Sequence, residues 1–182
     1  MRILVTNVNT TASMTDTMVA AAAAVAGPGT EILGATPRFG PVSVEGSYES
    51  YIAAAAILDL LATWTGPAID AVVWAGFGEH GREGAQELLE VPVITITEAS
   101  AMVACLLGHK YGVVTTLDRA VPQIEDQLRL AGLLGRCAAI LGSELGVLEI
   151  DEDPERTFRA LADTGRVAIG RGAEALCLGC GG

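Results

Sequence analysis

The side chains in this sequence with most chemistry to offer are four cysteines, two histidines and two clusters of Asn and Thr. The run EALCLGCGG places Cys177 and Cys180 three residues apart, with Gly181 and Gly182 behind them. A C-x-x-C pair raises redox or zinc chemistry. A redox pair opens a helix, however, whereas Cys177 lies inside an apolar strand-like run, and alternation sends its side chain to the face opposite Cys180. A tetrahedral zinc site needs two further ligands, and Cys105, Cys137, His80 and His109 sit on segments without ligand spacing. Cys177, Cys105 and Cys137 therefore read as small core residues of apolar elements. Cys180 differs. It stands at a strand's C-terminal end before two glycines, where backbone amides approach a ligand closely and lower a thiol pKa.

The polar turns admit two readings. TNVNTT at 6–11 ends a strand with two asparagines and three threonines, and VVTTL at 113–117 adds Thr115 and Thr116. Such side chains either bond their own backbone or hold a carboxylate, imide or amide at the edge where α/β sheets bind ligands. The loop RFGPVSVEGSYES at 38–50 fits a lid over a site or a plain connection. GFGEHGREG at 76–84 resembles a phosphate-binding glycine loop only loosely: it lacks the Walker lysine, and its glycines lack the following acidic partner of a G-x-G-x-x-G dinucleotide site, which argues against nucleotide binding. No G-x-S-x-G elbow is present, and two histidines on unrelated segments argue against a hydrolase triad.

These residues must be positioned by short β-rich runs alternating with longer helical ones. Strands are expected at 2–6, 30–36, 70–76, 91–96, 111–116, 137–142 and 174–180, and helices at 14–26, 47–64, 97–108, 118–132 and 154–171. Nearly continuous apolar strands alternating with helices indicate a parallel sheet covered on both faces, hence an α/β fold. Thr97, Thr116 or Asp118, and Asp153 before Pro154 are the expected helix caps. ILVTNVNTT echoes GVVTTLDRA, and VVWAGFG echoes LCLGCGG. That echo divides the chain into two similar α/β halves, 1–96 and 97–182.

Composition bounds the partners. In 182 residues, 51 % are hydrophobic and 18 % charged, and apolar runs are broken by glycines before membrane-spanning length. A soluble globular protein is expected, and MRILVTN without a signal-peptide pattern favours the cytoplasm. The net charge of −11 is scattered along the chain, which disfavours nucleic acid and anionic membranes as partners. Cysteines in such a compartment are expected as thiols.

Taken together and in order, ILVTNVNTT, GPVSVEGSYE, DAVVWAGFGEHGREGAQELLEVPVITITEAS, YGVVTTL and LCLGCGG resemble the aspartate/glutamate/hydantoin racemase superfamily, nearest its hydantoin and allantoin racemase branch. The resemblance runs over nearly the whole chain. It implies a homo-oligomeric isomerase that needs no cofactor or metal, with two Rossmann-like halves facing each other across the active site. It also implies a small-molecule substrate bearing a carboxylate or imide, with a cysteine from each half flanking its acidic Cα. One thiolate removes the proton and the opposite thiol returns one.

Carried over by motif, the second-half cysteine is Cys180. The family's Ala-Cys-Phe-Gly-Asp-Pro-Gly reads here as Ala75, Gly76, Phe77, Gly78, Glu79, His80 and Gly81, so Gly76 stands at the expected first cysteine. The substrate-holding positions implied are Asn9, Thr10, Ser43, Gly46, Phe77, Gly78, Thr115, Thr116 and Gly181. Glycine exchanges no proton, which leaves three explanations: a natural one-cysteine member, a mutated racemase, or a substitute acid such as His80 or Glu79. A lone thiol before two glycines also resembles arylmalonate decarboxylase, in which it protonates one face of an enolate. A catalytically silent ligand binder is the alternative outside enzymes. Family members usually continue past this last strand with a helix, strand and helix that complete the first half.

Overall fold

The structure, a computed structural model, describes residues 1–150 and 152–180. It contains seven strands and six α-helices among those residues: β1 (Arg2–Thr6), α1 (Ala12–Val25), β2 (Glu31–Ala35), α2 (Ser47–Ala62), β3 (Ala71–Trp74), α3 (Arg82–Leu88), β4 (Val93–Thr95), α4 (Ile96–Leu107), β5 (Tyr111–Thr115), α5 (Val121–Leu130), β6 (Cys137–Gly142), α6 (Pro154–Gly170) and β7 (Ala175–Gly179). All strand pairs are parallel, which bears out the α/β expectation. The chain divides into two compact units. One comprises Met1–Val44 and Tyr48–Ile96; the other comprises Glu45–Ser47 and Thr97–Cys180.

The first unit carries a four-stranded sheet in the order β2-β1-β3-β4. Leu4 on β1 and Val72 and Trp74 on β3 bury their side chains with Ile57 and Leu61 of α2, Ala85 of α3 and Val8 beyond β1. Removing these branched and aromatic side chains from water stabilises the unit by roughly 1.5–3 kcal/mol each. α1 is alanine-rich and buries only Met14, Thr15 and Met18.

The second unit carries a three-stranded sheet in the order β6-β5-β7, with β5 buried along its whole length. Ile124 and Leu128 are the buried residues of α5, four apart and so on one face. Glu45 belongs with this unit because its carboxylate accepts hydrogen bonds from Arg119 Nη2 at 2.7 Å and from the Val147 backbone N–H at 2.8 Å.

Several local expectations shift. Asp153 caps α6 as expected, its Oδ1 accepting from the Arg156 N–H at 3.0 Å with Pro154 opening the helix. Thr97 does not cap α4: the helix begins at Ile96 directly after β4, and Thr97 is buried inside it. Neither Thr116 nor Asp118 caps a helix. A single 3-10 turn over Asp118–Ala120 precedes α5, and Asp118 Oδ1 accepts instead from the Gly142 N–H at 3.1 Å. β3 and β4 are shorter than expected because their ends enter the turns that carry Gly76 and open α4. α3 has no apolar period in sequence; only Ala85 is buried.

Among the described residues, no helix is long and apolar enough to cross a membrane.

Candidate active site

Parallel strands deliver their C-terminal ends to one edge of a sheet, so each unit gathers its strand-end turns there. In the first unit these turns are 7–11 after β1, 36–44 after β2 and 75–81 after β3.

The turn after β1 is organised by its own asparagines. Asn7 Nδ2 donates to Asn9 Oδ1, to the Thr11 carbonyl and to Thr15 Oγ1, each at 3.0 Å. Asn7 Oδ1 accepts from the Asn9 N–H at 3.0 Å, and Asn9 Oδ1 from the Thr11 N–H at 2.9 Å. Asn9 is buried, and its amide also contacts Met14 Sδ at 3.4 Å. Thr10 bonds the Pro41 carbonyl through both its N–H at 3.0 Å and its hydroxyl at 3.2 Å, and Thr11 Oγ1 donates to the Val42 carbonyl at 2.7 Å. Turn chemistry therefore engages Asn9 and Thr10, and it straps the 38–44 loop to the end of β1. Ser43 lies in that loop, half-buried; Gly46 is buried and falls in the segment grouped with the second unit.

The turn after β3 is the most contorted stretch. Gly78, Glu79, His80 and Gly81 all have positive φ, at 112°, 72°, 31° and 88°. Two consecutive non-glycine residues in that region cost energy of order 1–3 kcal/mol each and persist only where their surroundings fix them. Here both are buried. Thr95 Oγ1 donates to Glu79 Oε1 at 3.0 Å. The His80 ring lies 2.9 Å from Ser50 Oγ through Nδ1 and 3.0 Å from the Phe77 carbonyl through Nε2. A carbonyl can only accept, so Nε2 carries the proton and Nδ1 accepts from the Ser50 hydroxyl. Burial lowers the His80 pKa from 6.5 to about 4, outweighing the Phe77 carbonyl, which favours the protonated ring. His80 is thus neutral at pH 7, with both nitrogens bonded within the protein. A pKa of about 4 departs from the near-neutral value that suits acid–base exchange. Phe77 is buried beside it.

Gly76 opens this turn. A Cβ there would stand 2.5 and 2.7 Å from the two methyl carbons of Val8 and 2.8 Å from His80 Cδ2.

In the second unit the corresponding edge gathers Thr115, Thr116, Gly142 and Cys180. Both threonines are buried. Thr115 Oγ1 donates to the Gly179 carbonyl at 2.9 Å, and its own carbonyl accepts from the Ser143 N–H at 2.9 Å. Gly179 is pressed onto β5: a Cβ would come within 3.0 Å of Val113 Cγ1 and 3.3 Å of the Val114 carbonyl. That close approach fixes the backbone one residue before Cys180, a half-buried thiol directly after β7. Gly181 lies outside the described residues.

The other cysteines behave as core residues to different degrees. Cys177 is buried, whereas Cys105 and Cys137 are half-buried. Burial raises the Cys177 pKa and pushes Cys137 up to about 11, so neither is a ready thiolate. What spacing did not reveal is that Cys105, Cys137 and Cys177 all neighbour Tyr111, whose hydroxyl burial and these thiols hold in its neutral form. Among the described residues no three His, Cys, Asp or Glu side chains are grouped to hold a metal ion.

Sequence reasoning missed Val8, Ser50 and Thr95, which fix the surroundings of Gly76 and the 78–81 turn. Val8 carried a faint signal as an apolar residue between two asparagines; Ser50 and Thr95 carried none.

These are parallel α/β units with Asn-, Thr-, Gly- and Cys-bearing turns at the strand ends, the edge where open α/β sheets bind ligands. The family model described as Asp/Glu/Hydantoin racemase matches residues 3–182, and the chain belongs to that family, a family of isomerases. It is 58 % identical to the allantoin racemase of Pseudomonas fluorescens, whose crystal structure it matches with a TM-score of 0.97 over 100 % of this chain and 77 % of that one. The allantoin racemase of Klebsiella pneumoniae matches at 36 % identity and a TM-score of 0.93, over 99 % of this chain and 74 % of that one. A hydantoin racemase of Pseudomonas sp. strain NS671 is 34 % identical over 100 % of this chain and 74 % of its own length.

Proposed function

We propose that this protein transfers a proton at the acidic Cα of a 5-substituted hydantoin, allantoin being one such compound, with Cys180 as its acid/base thiol and without a cofactor. The observation that carries the reading is the placement of Cys180 directly after β7, on a backbone fixed by the contact of Gly179 with β5. The relatives named for hydantoin and allantoin supply the substrate class.

In this reading the Cys180 thiolate takes the Cα proton and the electron pair moves onto the adjacent carbonyl oxygen as an enolate. The thiol so formed returns a proton to the same carbon. Residue 76 is glycine and has none to give from the first half of the molecule, residues 1–96, so the proton returns to the face it left. While the enolate lives, the thiol exchanges with solvent, and in heavy water Cα acquires deuterium. Asn9, Thr10, Ser43, Phe77 and Gly78 from the first half, and Gly46, Thr115, Thr116 and Gly181, are the positions we assign to holding the substrate's carbonyl and amide groups. The buried, neutral state of His80 supports a positioning role for it and leaves proton transfer to the thiol. We further infer a cytoplasmic homo-oligomer; Met102, Val103, Leu106 and Leu107, exposed along α4, support assembly. Light scattering on the purified protein tests it.

The test of the activity is proton NMR in heavy water on each enantiomer of allantoin and of a 5-alkyl hydantoin, for the protein and for Cys180→Ser. Loss of the Cα signal above the spontaneous rate, abolished by Cys180→Ser, is expected. Ligand-induced thermal stabilisation without exchange would identify a binding protein instead. Turnover of an arylmalonate in place of any hydantoin would identify a decarboxylase.

A further inference from the structure

The contacts of Gly76 lead beyond that reading while resting on its assignment of position 76. A side chain is excluded there from two sides. Val8 puts both methyl carbons into the space, at 2.5 and 2.7 Å from where a Cβ would stand, and His80 puts Cδ2 there at 2.8 Å. Real Cβ contacts do not come so close, so one wall must move before any residue larger than glycine fits.

Neither wall retreats cheaply. Val8 is buried, packs against the Leu4–Trp74 core, and is β-branched, with few side-chain rotamers open to it. Its backbone is clamped on both sides, because Asn7 and Asn9 are hydrogen-bonded to one another and to Thr11. The Asn7 N–H also donates to the Ala35 carbonyl at 2.9 Å. His80 is held at both ring nitrogens by Ser50 and the Phe77 carbonyl. Its turn cannot shift toward α2 either, since a Cβ on Gly81 would already meet Ala54 Cβ at 2.7 Å.

We propose that Val8 and His80 form a plug that holds position 76 closed, and that Val8 is the residue deciding whether this half of the molecule can accept an acid/base thiol. The glycine is then not a lone lesion in an otherwise ready site. Two changes, at 76 and at 8, separate this chain from a two-thiol arrangement. Val8→Ala removes both offending methyl carbons, the two closest contacts, and leaves only His80 Cδ2 at 2.8 Å.

The test is a double-substitution cycle read by thermal unfolding, with Gly76→Ala as the smallest steric probe: wild type, Gly76→Ala, Val8→Ala and the double variant. Gly76→Ala lowers Tm on the order of 2–12 °C, the range for overpacking in a chain of this size. In the double variant the change at 76 costs less than half of what it costs beside Val8. If Gly76→Ala fails to fold, a folded double variant is the same result. Strict additivity, or a double variant no better than the singles predict, overturns the plug. Gly76→Cys with and without Val8→Ala then goes into the heavy-water assay, with optical rotation followed in parallel. Inversion that appears only with both changes is expected. Stability coupling without exchange by any variant would uphold the plug and sink the hydantoin reading, so the two failures are distinguishable.

Discussion

Acidification from pH 7 to pH 4 should destabilise this protein partly through one imidazole. In the folded chain His80 has its pKa lowered from 6.5 to about 4, chiefly by burial, so between those values the unfolded chain binds a proton that the folded chain refuses. Stability from this group is fully present above pH 6.5, falls as the pH drops through the window from 6.5 to about 4, and changes no further below it. At about 1.36 kcal/mol per pH unit the window is worth about 3 kcal/mol, an order-of-magnitude figure. That is a large share of the 5–15 kcal/mol typical of a folded domain. The assay is urea unfolding at pH 7, 5.5 and 4 for the protein and for His80→Gln, which cannot titrate. His80→Gln starts lower at pH 7 for lack of the full Ser50 and Phe77 bonding, yet loses about 3 kcal/mol less on acidification. Carboxylates affect both proteins alike, so the difference isolates the ring. Equal losses in the two proteins would refute the buried, neutral histidine.

Three further expectations follow from local geometry. Gly142→Ala pushes a Cβ to 2.6 Å from the Asp118 backbone nitrogen and 2.9 Å from the Leu117 carbonyl carbon, so urea unfolding should show a loss of roughly 1–3 kcal/mol. An unchanged midpoint would mean that the 117–118 turn moves freely. Asp153→Ala removes the cap on the Arg156 N–H and should cost about 1 kcal/mol in the same assay, with Asp153→Asn retaining most of it. Alkylation at pH 8 followed by peptide mass spectrometry should find Cys137 and Cys177 lagging well behind a urea-denatured control, because burial raises both thiols. Equal rates in folded and denatured protein would contradict their placement.

The layered α/β architecture was legible because parallel strands, buried on both faces, write themselves as short apolar runs between longer helical ones. Cys177 was legible as core because it stands inside an apolar strand, although β7 turns only alternate side chains inward and leaves Leu176 and Leu178 exposed. The helix starts were less so. Asp153 before proline declared its cap, but Thr97 and Asp118 have the same side-chain chemistry, and tertiary structure assigned them elsewhere: one inside α4, the other to the Gly142 N–H. Gly76 could be located by motif, yet what surrounds it could not. Val8, Ser50 and Thr95 lie 68, 26 and 19 residues from that position along the chain, and only the packing of the first unit, with β1 beside β3 and β3 beside β4, brings them together. His80 shows the same limit from the other side. Its residue type allowed an acid, and its burial, which no local pattern carries, supports the positioning role proposed for it.

The central claim is that one thiol, Cys180, moves the proton and no second group completes an inversion. Its most direct test is a single time course in heavy water, starting from one pure enantiomer of allantoin, with Cα–H loss followed by NMR and optical rotation read on the same sample. The account predicts deuterium incorporation above the spontaneous rate while the rotation decays no faster than it does without protein, and incorporation reduced to the spontaneous rate in Cys180→Ser. Rotation decaying in step with exchange would show that a second acid faces the substrate, and would contradict the one-thiol account.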